Sequence, residues 1–536
     1  MPFHIAIVGM GPTGLYTLQN LVQHGEPLEI SIFESGGQAG VGMPYSIASC
    51  RKSMLANIAS IEIPSLSETY LDWMRTLPLA VLESFGVDAD TLDERVFTPR
   101  LLLGQYFRAQ FVTLLAGAEA AGHRIHIHEE CEIADLHPEG DKIALSTRVA
   151  RLEPVFDQVV LTTGHVWPDD KDGPESYFAS PWSGLFDTDI PAVRIGIMGT
   201  SLSSIDAAMA IATQHGVFRD EADGRLVYAL GDAGSALDIT LMSRNGLLPE
   251  ADFYCGIPYK PLTVMTDNAL AEAVTAGQDG LLDRVFGLFL RELQSVDQAW
   301  VTGHDLDGSN ADTFTELYFD QRRRVDPFEW ARSNLTEAES NKTSRHTVGW
   351  RYAILRMHQK IGDLVTELSE DDHRRFDSGL KRVFIDNYAA VPSQSIRRML
   401  ALHDAGVLSL LTLGQDYITD VSEYGTVVRI GTEEHRFALF VDARGQKALE
   451  SADLPFPSLR HAVLEAGQDI PVVGDNYEMP SLPGYGGKVV LGSLPYLMHE
   501  RPFIQGITES AEIGSAISEG VLARIRANPA IGIAAE

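Results

Sequence analysis

The sequence predicts an α/β chain of two doubly wound, parallel-sheet units with a helical subdomain beside them. Three observations predict it. A short apolar strand at the start of the chain runs straight into a glycine-rich turn and a helix; the same order recurs near residue 193; and the stretch from Asn268 to about Leu402 is helical in its periodicity.

In the first unit, Ile5-Ala6-Ile7-Val8 is the apolar run of a buried parallel strand. Gly9-Met10-Gly11-Pro12-Thr13-Gly14 follows, then a helical pattern of Leu15, Leu18, Leu21 and Val22. A second strand, Leu28 to Phe33, ends in Glu34, about twenty residues beyond the last glycine, where a dinucleotide-binding βαβ unit carries its acid. Gly9 permits the tight turn, Gly11 lets backbone approach a pyrophosphate, and Gly14 lets helix and strand pack closely. The helix N-terminus offers free N–H groups and partial positive charge to phosphates. Glu34 can accept both ribose hydroxyls of an adenosine and would repel a 2′-phosphate. The unit therefore reads as Rossmann-like and as a site for FAD or NAD rather than NADP; a purely structural glycine turn is the other reading.

Composition narrows the classes. At 536 residues the chain is too long for one core, and two or three domains are expected. Acids outnumber bases 74 to 42, a net charge of −32 that argues against nucleic acid and anionic membrane as partners. No apolar run is long enough to span a bilayer. The N-terminus enters a strand by His4, which leaves no room for a signal peptide, so a cytoplasmic location is expected. Cys50, Cys131 and Cys255 form no C-x-x-C, which disfavours a disulfide framework, a zinc site and a dithiol reductase. The histidines show no metal-ligand spacing, no metal is expected, and no G-x-S-x-G or H-E-x-x-H supports a hydrolase.

Further along, Leu101 to Leu115 reads as a helix, Arg124–His128 and Val155–Leu161 as strands, and Pro168–Ser183 as a linker. Beyond it Val193–Met198 is a strand followed by Gly199-Thr200-Ser201-Leu202-Ser203-Ser204 and a helical stripe of Ile205, Met209 and Ala212. The next strand, Ile239–Ser243, ends in Arg244. A basic residue thus stands where the first unit has an acid, and a guanidinium can pair bidentately with the 2′-phosphate of NADPH; a surface arginine closing a strand is the alternative. The helical block carries stripes at Leu282, Val285, Phe286, Phe289 and at Ile354, Met357, Ile361, Leu364. A strand at Val489–Leu491 is followed by Thr508-Glu509-Ser510 and a helix from Ala511 to Arg526. The boundaries read as 1–167 for the first part of the first dinucleotide-binding domain, 190–262 for the second, 263–403 for a helical substrate or lid subdomain, and 404–536 for a return to both dinucleotide domains.

Four stretches carry a resemblance: Gly9-x-Gly11-x-x-Gly14; Val41-Gly42-Met43-Pro44-Tyr45 with Met54-Leu55-Ala56-Asn57; Thr162-Thr163-Gly164-His165; and Ser243-Arg244-Asn245-Gly246-Leu247-Leu248-Pro249. Together they resemble bacterial FAD/NAD(P)-binding flavoproteins of the FAD-dependent urate hydroxylase-like group, which is similar to the N-hydroxylating, class B-like flavin monooxygenases. The resemblance implies FAD, NADPH and oxygen, and hydroxylation of a small polar metabolite, at an amine nitrogen, through a flavin hydroperoxide. By position it implies that Gly9, Gly11, Pro12, Thr13, Gly14 and Glu34 hold the FAD diphosphate and ribose, that Pro44, Tyr45 and Asn57 lie near the flavin ring, and that Thr163 and Gly164 close over the adenine side. Glu509 and Ser510 are further FAD-binding candidates, and Gly199, Thr200, Ser201 and Arg244 would bind NADPH. Two departures stand out: the second unit lacks the full glycine triplet, and Asp442-Ala443-Arg444-Gly445 replaces a Cys-Thr-Gly-like strand exit.

Catalytic candidates are Asn57, as an amide donor near the flavin or a side chain capping its own loop, and Arg397, as a clamp for a substrate carboxylate or a residue paired to a neighbouring acid. Arg351 is an alternative clamp, and Arg322-Arg323-Arg324 reads as a solvated face. A reductase passing electrons to another acceptor and a flavin-binding redox sensor remain open, and a homo-oligomer is compatible with the sequence.

Overall fold

The computed structural model describes residues 3–25, 27–168, 173–504 and 506–527. It divides into two compact units: Met1–Val166 with Gln446–Glu536, and Trp167–Gly445. In chain order the elements that position the sites are β1 (His4–Val8), α1 (Pro12–Val22), β2 (Glu29–Phe33), α2 (Arg100–Ala120), β3 (Arg124–His128), β4 (Gln158–Leu161), β5 (Tyr177–Phe178), β6 (Arg194–Met198), α3 (Leu202–His215) and β7 (Asp238–Ser243). They continue with α4 (Phe314–Arg323), α5 (Pro327–Ser344), α6 (Gly349–Leu364), α7 (Leu380–Tyr388), α8 (Ser393–Asp404), β8 (Leu408–Thr412), β9 (Leu439–Asp442), β10 (Val489–Leu491) and α9 (Ile507–Ala527).

The first unit is built on a parallel sheet of order β10-β4-β1-β2-β3. Its central strands are sealed on both faces, with Ile5, Ile7, Ile30, Ile32, Val159 and Val160 fully buried, as a continuous apolar run requires when helices cover both sides. Helix α9 lies across α1 so closely that a Cβ at Gly514 would come within 2.7 Å of the Thr17 backbone nitrogen. The Ser518 hydroxyl donates to the Thr17 carbonyl at 3.0 Å at the same crossing. Buried Leu15, Leu18 and Leu21 on α1 each contribute about 1.5–3 kcal/mol of transfer free energy.

The second unit repeats the plan with a parallel sheet of order β8-β7-β6-β9-β5. In both, the fourth strand is reached through a three-stranded antiparallel meander, Asp135–Phe156 before β4 and Tyr417–Phe437 before β9. The repeat therefore extends well beyond the strand–glycine–helix opening. The helical block enters the second unit between β7 and β8, the crossover that α2 and its preceding loops occupy in the first.

Several local readings are corrected. The stretch Val155–Leu161 is two strands, because Arg151–Phe156 closes the meander antiparallel while β4 joins the parallel sheet. The Pro168–Ser183 segment is not simply a linker: Tyr177 and Phe178 pair with Phe440 and Val441 as β5, although 169–172 lie outside the described residues. Helix α9 starts at Ile507, which places Thr508, Glu509 and Ser510 in its first turn.

Candidate functional site

At the C-terminal end of β1 the chain turns at Gly9 with φ +93°, and a Cβ there would sit 2.4 Å from the Thr162 carbonyl oxygen at the end of β4. Any side chain at Gly9 is therefore excluded by both sterics and backbone conformation. Gly14 is excluded from bearing a Cβ by the Gly9 carbonyl, 2.4 Å away. Gly11 is opposed by another glycine: its Cβ would meet the Gly42 Cα at 3.3 Å. Two stretches of bare backbone thus approach each other in front of α1. No side chain caps α1, so its first-turn N–H groups are left to a ligand or to water.

Around this turn lies a cavity of about 270 Å³. The structure brings Gly9, Gly11, Pro12, Thr13, Glu34, Pro44, Tyr45, Thr163, Gly164 and Ser510 to its lining. The Glu34 carboxylate accepts the Met10 N–H at 2.9 Å and the Gly36 N–H at 2.8 Å, which aims the acid into the turn. Thr162 donates its hydroxyl to the Gly9 carbonyl at 2.6 Å, and the Thr163 N–H donates to the Ser493 hydroxyl oxygen at 3.0 Å. Tyr45 lies edge-on to Phe107 at 5.5 Å, and burial pushes its phenol up to about 12, so it stays protonated.

His165 also lines the cavity, although the sequence assigned it no role. Burial lowers its pKa against a hydrogen bond with Gln446, so the ring is neutral near pH 7. Its position directly after Thr162-Thr163-Gly164 was the available signal. The carboxyl end of β3 supplies Cys131, Glu132 and Ile133 to the same lining, which local periodicity could not indicate.

Three predicted residues lie outside this lining. Gly14 packs behind the turn, between α1 and β1. Asn57 follows a segment paired with Thr98–Arg100, and its Oδ1 is buried without a hydrogen-bond partner among the described residues. The carboxylate of Glu509 folds back onto the N–H groups of Gly506 and Glu509 at the start of α9; burial raises its pKa against those bonds. An acid at a helix N-terminus stabilises the helix by itself.

The second cradle repeats the first with substitutions. Gly199 has φ +124°, donates its N–H to the Met242 carbonyl at 2.7 Å, and would place a Cβ 2.8 Å from the Ala443 carbonyl oxygen at the end of β9. Ser204 stands where the first unit has Gly14, buried, with its hydroxyl 3.4 Å from that carbonyl. Arg444 is paired with the Asp442 carboxylate, Nε to Oδ1 at 2.9 Å, so the departing strand closes on its own ion pair. Arg244 is held at the end of β7 by a turn whose Gly246, φ +61°, lies so close to Thr412 that a Cβ would overlap it at 1.9 Å. Gly199 flanks, while Thr200, Ser201 and Arg244 line, a second cavity of about 290 Å³.

The arginines of the helical block are placed differently from one another. Arg397 donates to Glu339 at 2.8 and 2.7 Å, and the structure does not bring it to either cavity. Arg351 is buried and ion-paired with Glu250. Arg322 corrects the solvated-face reading: it is buried, donates to Asp386 at 2.8 and 2.7 Å and to the Leu248 carbonyl at 2.7 Å. Its place on the stripe of Phe314, Tyr318 and Phe319 was the signal. Arg323 and Arg324 are exposed or nearly so and pair with Glu316 and Asp320. Among the described residues no group of side chains could hold a metal ion, and no helix is long and apolar enough to cross a membrane.

The family described as FAD-NAD(P)-binding matches residues 6–166, and that described as YdhS-like middle domain matches residues 266–388. The uncharacterized protein YdhS of Escherichia coli (strain K12) is 48% identical over 518 residues, which cover 97% of this chain and 97% of the relative. Among solved structures, the FAD-bound cadaverine monooxygenase of the desferrioxamine pathway of Erwinia amylovora matches with a TM-score of 0.50 at 12% identity, covering 98% of this chain and 95% of that one. The ornithine N-hydroxylase of Kutzneria sp. 744 matches with a TM-score of 0.49 at 15% identity, covering 98% and 100%. Fold, glycine cradle and sequence identity agree, and the chain belongs to the YdhS family of bacterial FAD/NAD(P)-binding flavoproteins.

Proposed function

We propose that the protein is an NADPH-dependent flavoprotein oxidoreductase, and within that class a monooxygenase that hydroxylates a small polar metabolite at an amine nitrogen with oxygen as co-substrate. One observation carries the reading: two cradles of the same strand order end their second strands in opposite charges, Glu34 after β2 and Arg244 after β7. An acid favours a bare ribose and a guanidinium favours a 2′-phosphate. FAD therefore suits the first cradle and NADPH the second.

Bound FAD supplies the transfer of electrons from NADPH and the activation of oxygen. The chain's own residues bind and orient. The bare backbone at Gly9, Gly11 and Gly42 admits a diphosphate to the α1 N-terminus, and Glu34 takes the adenosine ribose. Neutral His165 and protonated Tyr45 offer hydrogen bonds without adding charge to the cavity. The amine-oxidising chemistry is supported by the family resemblance and by the fold shared with the cadaverine monooxygenase.

The test uses the purified holoenzyme with NADPH and ¹⁸O₂ against a panel of amines and amino acids. The proposal expects one class of compound to stimulate NADPH consumption and to gain one labelled oxygen. NADPH oxidation that returns all its electrons as hydrogen peroxide, or passes them to artificial acceptors with no labelled product across the panel, makes the protein a reductase instead.

A further inference from the structure

The helical block supplies part of the lining of the cavity at the second cradle. Arg382, Ile385, Asp386 and Ala389, one face of α7 and its exit, line it together with Thr200, Ser201, Ser243 and Arg244. Two guanidinium groups thus converge on about 290 Å³. Burial lowers the pKa of Arg382, Glu316 opposes this, and the Arg244 charge lowers it further, so the two arginines act on each other electrostatically.

The acids nearby do not neutralise the pair. Asp386 lines the cavity, but its oxygens are taken by Arg322 at 2.8 and 2.7 Å and by the Tyr318 hydroxyl at 3.1 Å. Glu316 is bound by Arg323 at 2.7 Å and reaches Arg382 only at 3.9 Å. The Arg382 guanidinium carbon lies over the Phe319 ring, 5.6 Å from its centroid, a cation–π contact that uses none of the N–H donors. Arg244 makes no ion pair among the described residues. Like charges brought together in one concave site are stabilised by an anion placed between them.

We propose that Arg382, supplied by the helical block, is a second specificity residue of this cavity and grips the 2′-phosphate of NADPH together with Arg244. The inference rests on the reading of the second cradle as the NADPH site. It gives the helical block a direct part in choosing the nucleotide.

The test is calorimetric titration of the FAD-loaded protein with 2′,5′-ADP and with 5′-AMP, which differ by the phosphate in question. Wild type is expected to prefer 2′,5′-ADP. Arg382→Ala should weaken 2′,5′-ADP by about tenfold or more, as expected for lost hydrogen bonds to a charged group, and leave 5′-AMP unchanged; Arg382→Lys should recover part of the loss. Wild-type affinity for both ligands in Arg382→Ala, with Arg244→Ala impaired, would overturn the role of Arg382 and leave the NADPH site standing. Equal loss of both ligands would make Arg382 structural and also overturn it. No preference in the wild type would remove the NADPH reading itself and Arg382 with it. Should Arg382→Ala not fold, Arg382→Gln is measured by the same criteria.

Discussion

The carboxylate of Glu34 accepts the backbone N–H of Met10 at 2.9 Å, tying the acid that ends β2 to the glycine turn that ends β1. Glu34 is therefore part of the cradle's frame as well as the group facing a ribose. Glu34→Ala should weaken FAD binding by about tenfold or more through lost charge-assisted hydrogen bonds. It should also lower the melting temperature of the FAD-free protein, because the Met10 amide loses its acceptor. Glu34→Gln keeps an acceptor and should retain more of that stability while still losing FAD affinity. Flavin release followed by fluorescence, alongside thermal unfolding, separates the two effects.

Gly14→Ala is expected to destabilise the first unit by about 2 kcal/mol or more. The added methyl would lie 2.4 Å from the Gly9 carbonyl oxygen, a backbone atom that cannot step aside without moving α1 off the sheet. Gly25→Ala is the matched control, since nothing lies within 4 Å of its Cβ position; it should stay within about 0.5 kcal/mol of wild type. Chemical denaturation of the three proteins checks both expectations.

Glu250 anchors the segment after β7 to three helices: Trp330 of α5 donates to it at 2.8 Å, Arg351 of α6 is ion-paired with it, and Arg322 of α4 lies 3.9 Å away. Burial would raise its pKa, but Arg351 and Arg322 outweigh that and hold the carboxyl at about 2. Glu250→Gln leaves two buried guanidinium groups undercompensated and should cost about 3–5 kcal/mol. Because the native pKa is depressed, this carboxylate stabilises the fold above its ordinary value near 4.5, and the contribution is lost as pH falls from 4.5 toward 2. The variant's stability should therefore vary less with pH across that window than the wild type's.

His358 on α6 stacks against Tyr388 at 5.4 Å, and burial lowers its pKa to about 4 even though the Leu355 carbonyl pulls it upward. A histidine kept neutral in the native state costs nothing above its unfolded value of 6.5. Below that pH the unfolded chain takes the proton first, so stability falls between pH 6.5 and 4. The loss is at most about 3 kcal/mol, and less where solvent reaches the half-buried ring. His358→Gln should flatten the pH dependence of the melting temperature across this range; an unchanged slope would assign the acid sensitivity to other groups.

The resolution of the sequence reading differs from place to place for physical reasons. The strand–glycine–helix openings at Ile5–Val22 and Val193–Ala212 were legible because sterics forbid side chains there: Gly9 and Gly199 both take positive φ against a carbonyl of the neighbouring strand. Arg322 was misread because a charged residue on an apolar stripe looks the same whether it is solvated or buried; only the presence of Asp386 and Glu250 decides. Arg351 presented the same ambiguity. The start of α9 was placed late because Thr508, Glu509 and Ser510 resemble a loop, while the Glu509 carboxylate is what stabilises that helix end.

By itself the sequence determined the α/β class, the two glycine turns and the opposite charges that follow β2 and β7, since each depends on residues within one short βαβ span. The tertiary structure alone decided that Gly42 faces Gly11, that His165 and Ser510 meet at one cavity, and that Arg382 reaches the cavity of Arg244. Those juxtapositions join segments far apart in the chain. They are set by how helices and sheet pack in three dimensions, which no local periodicity encodes.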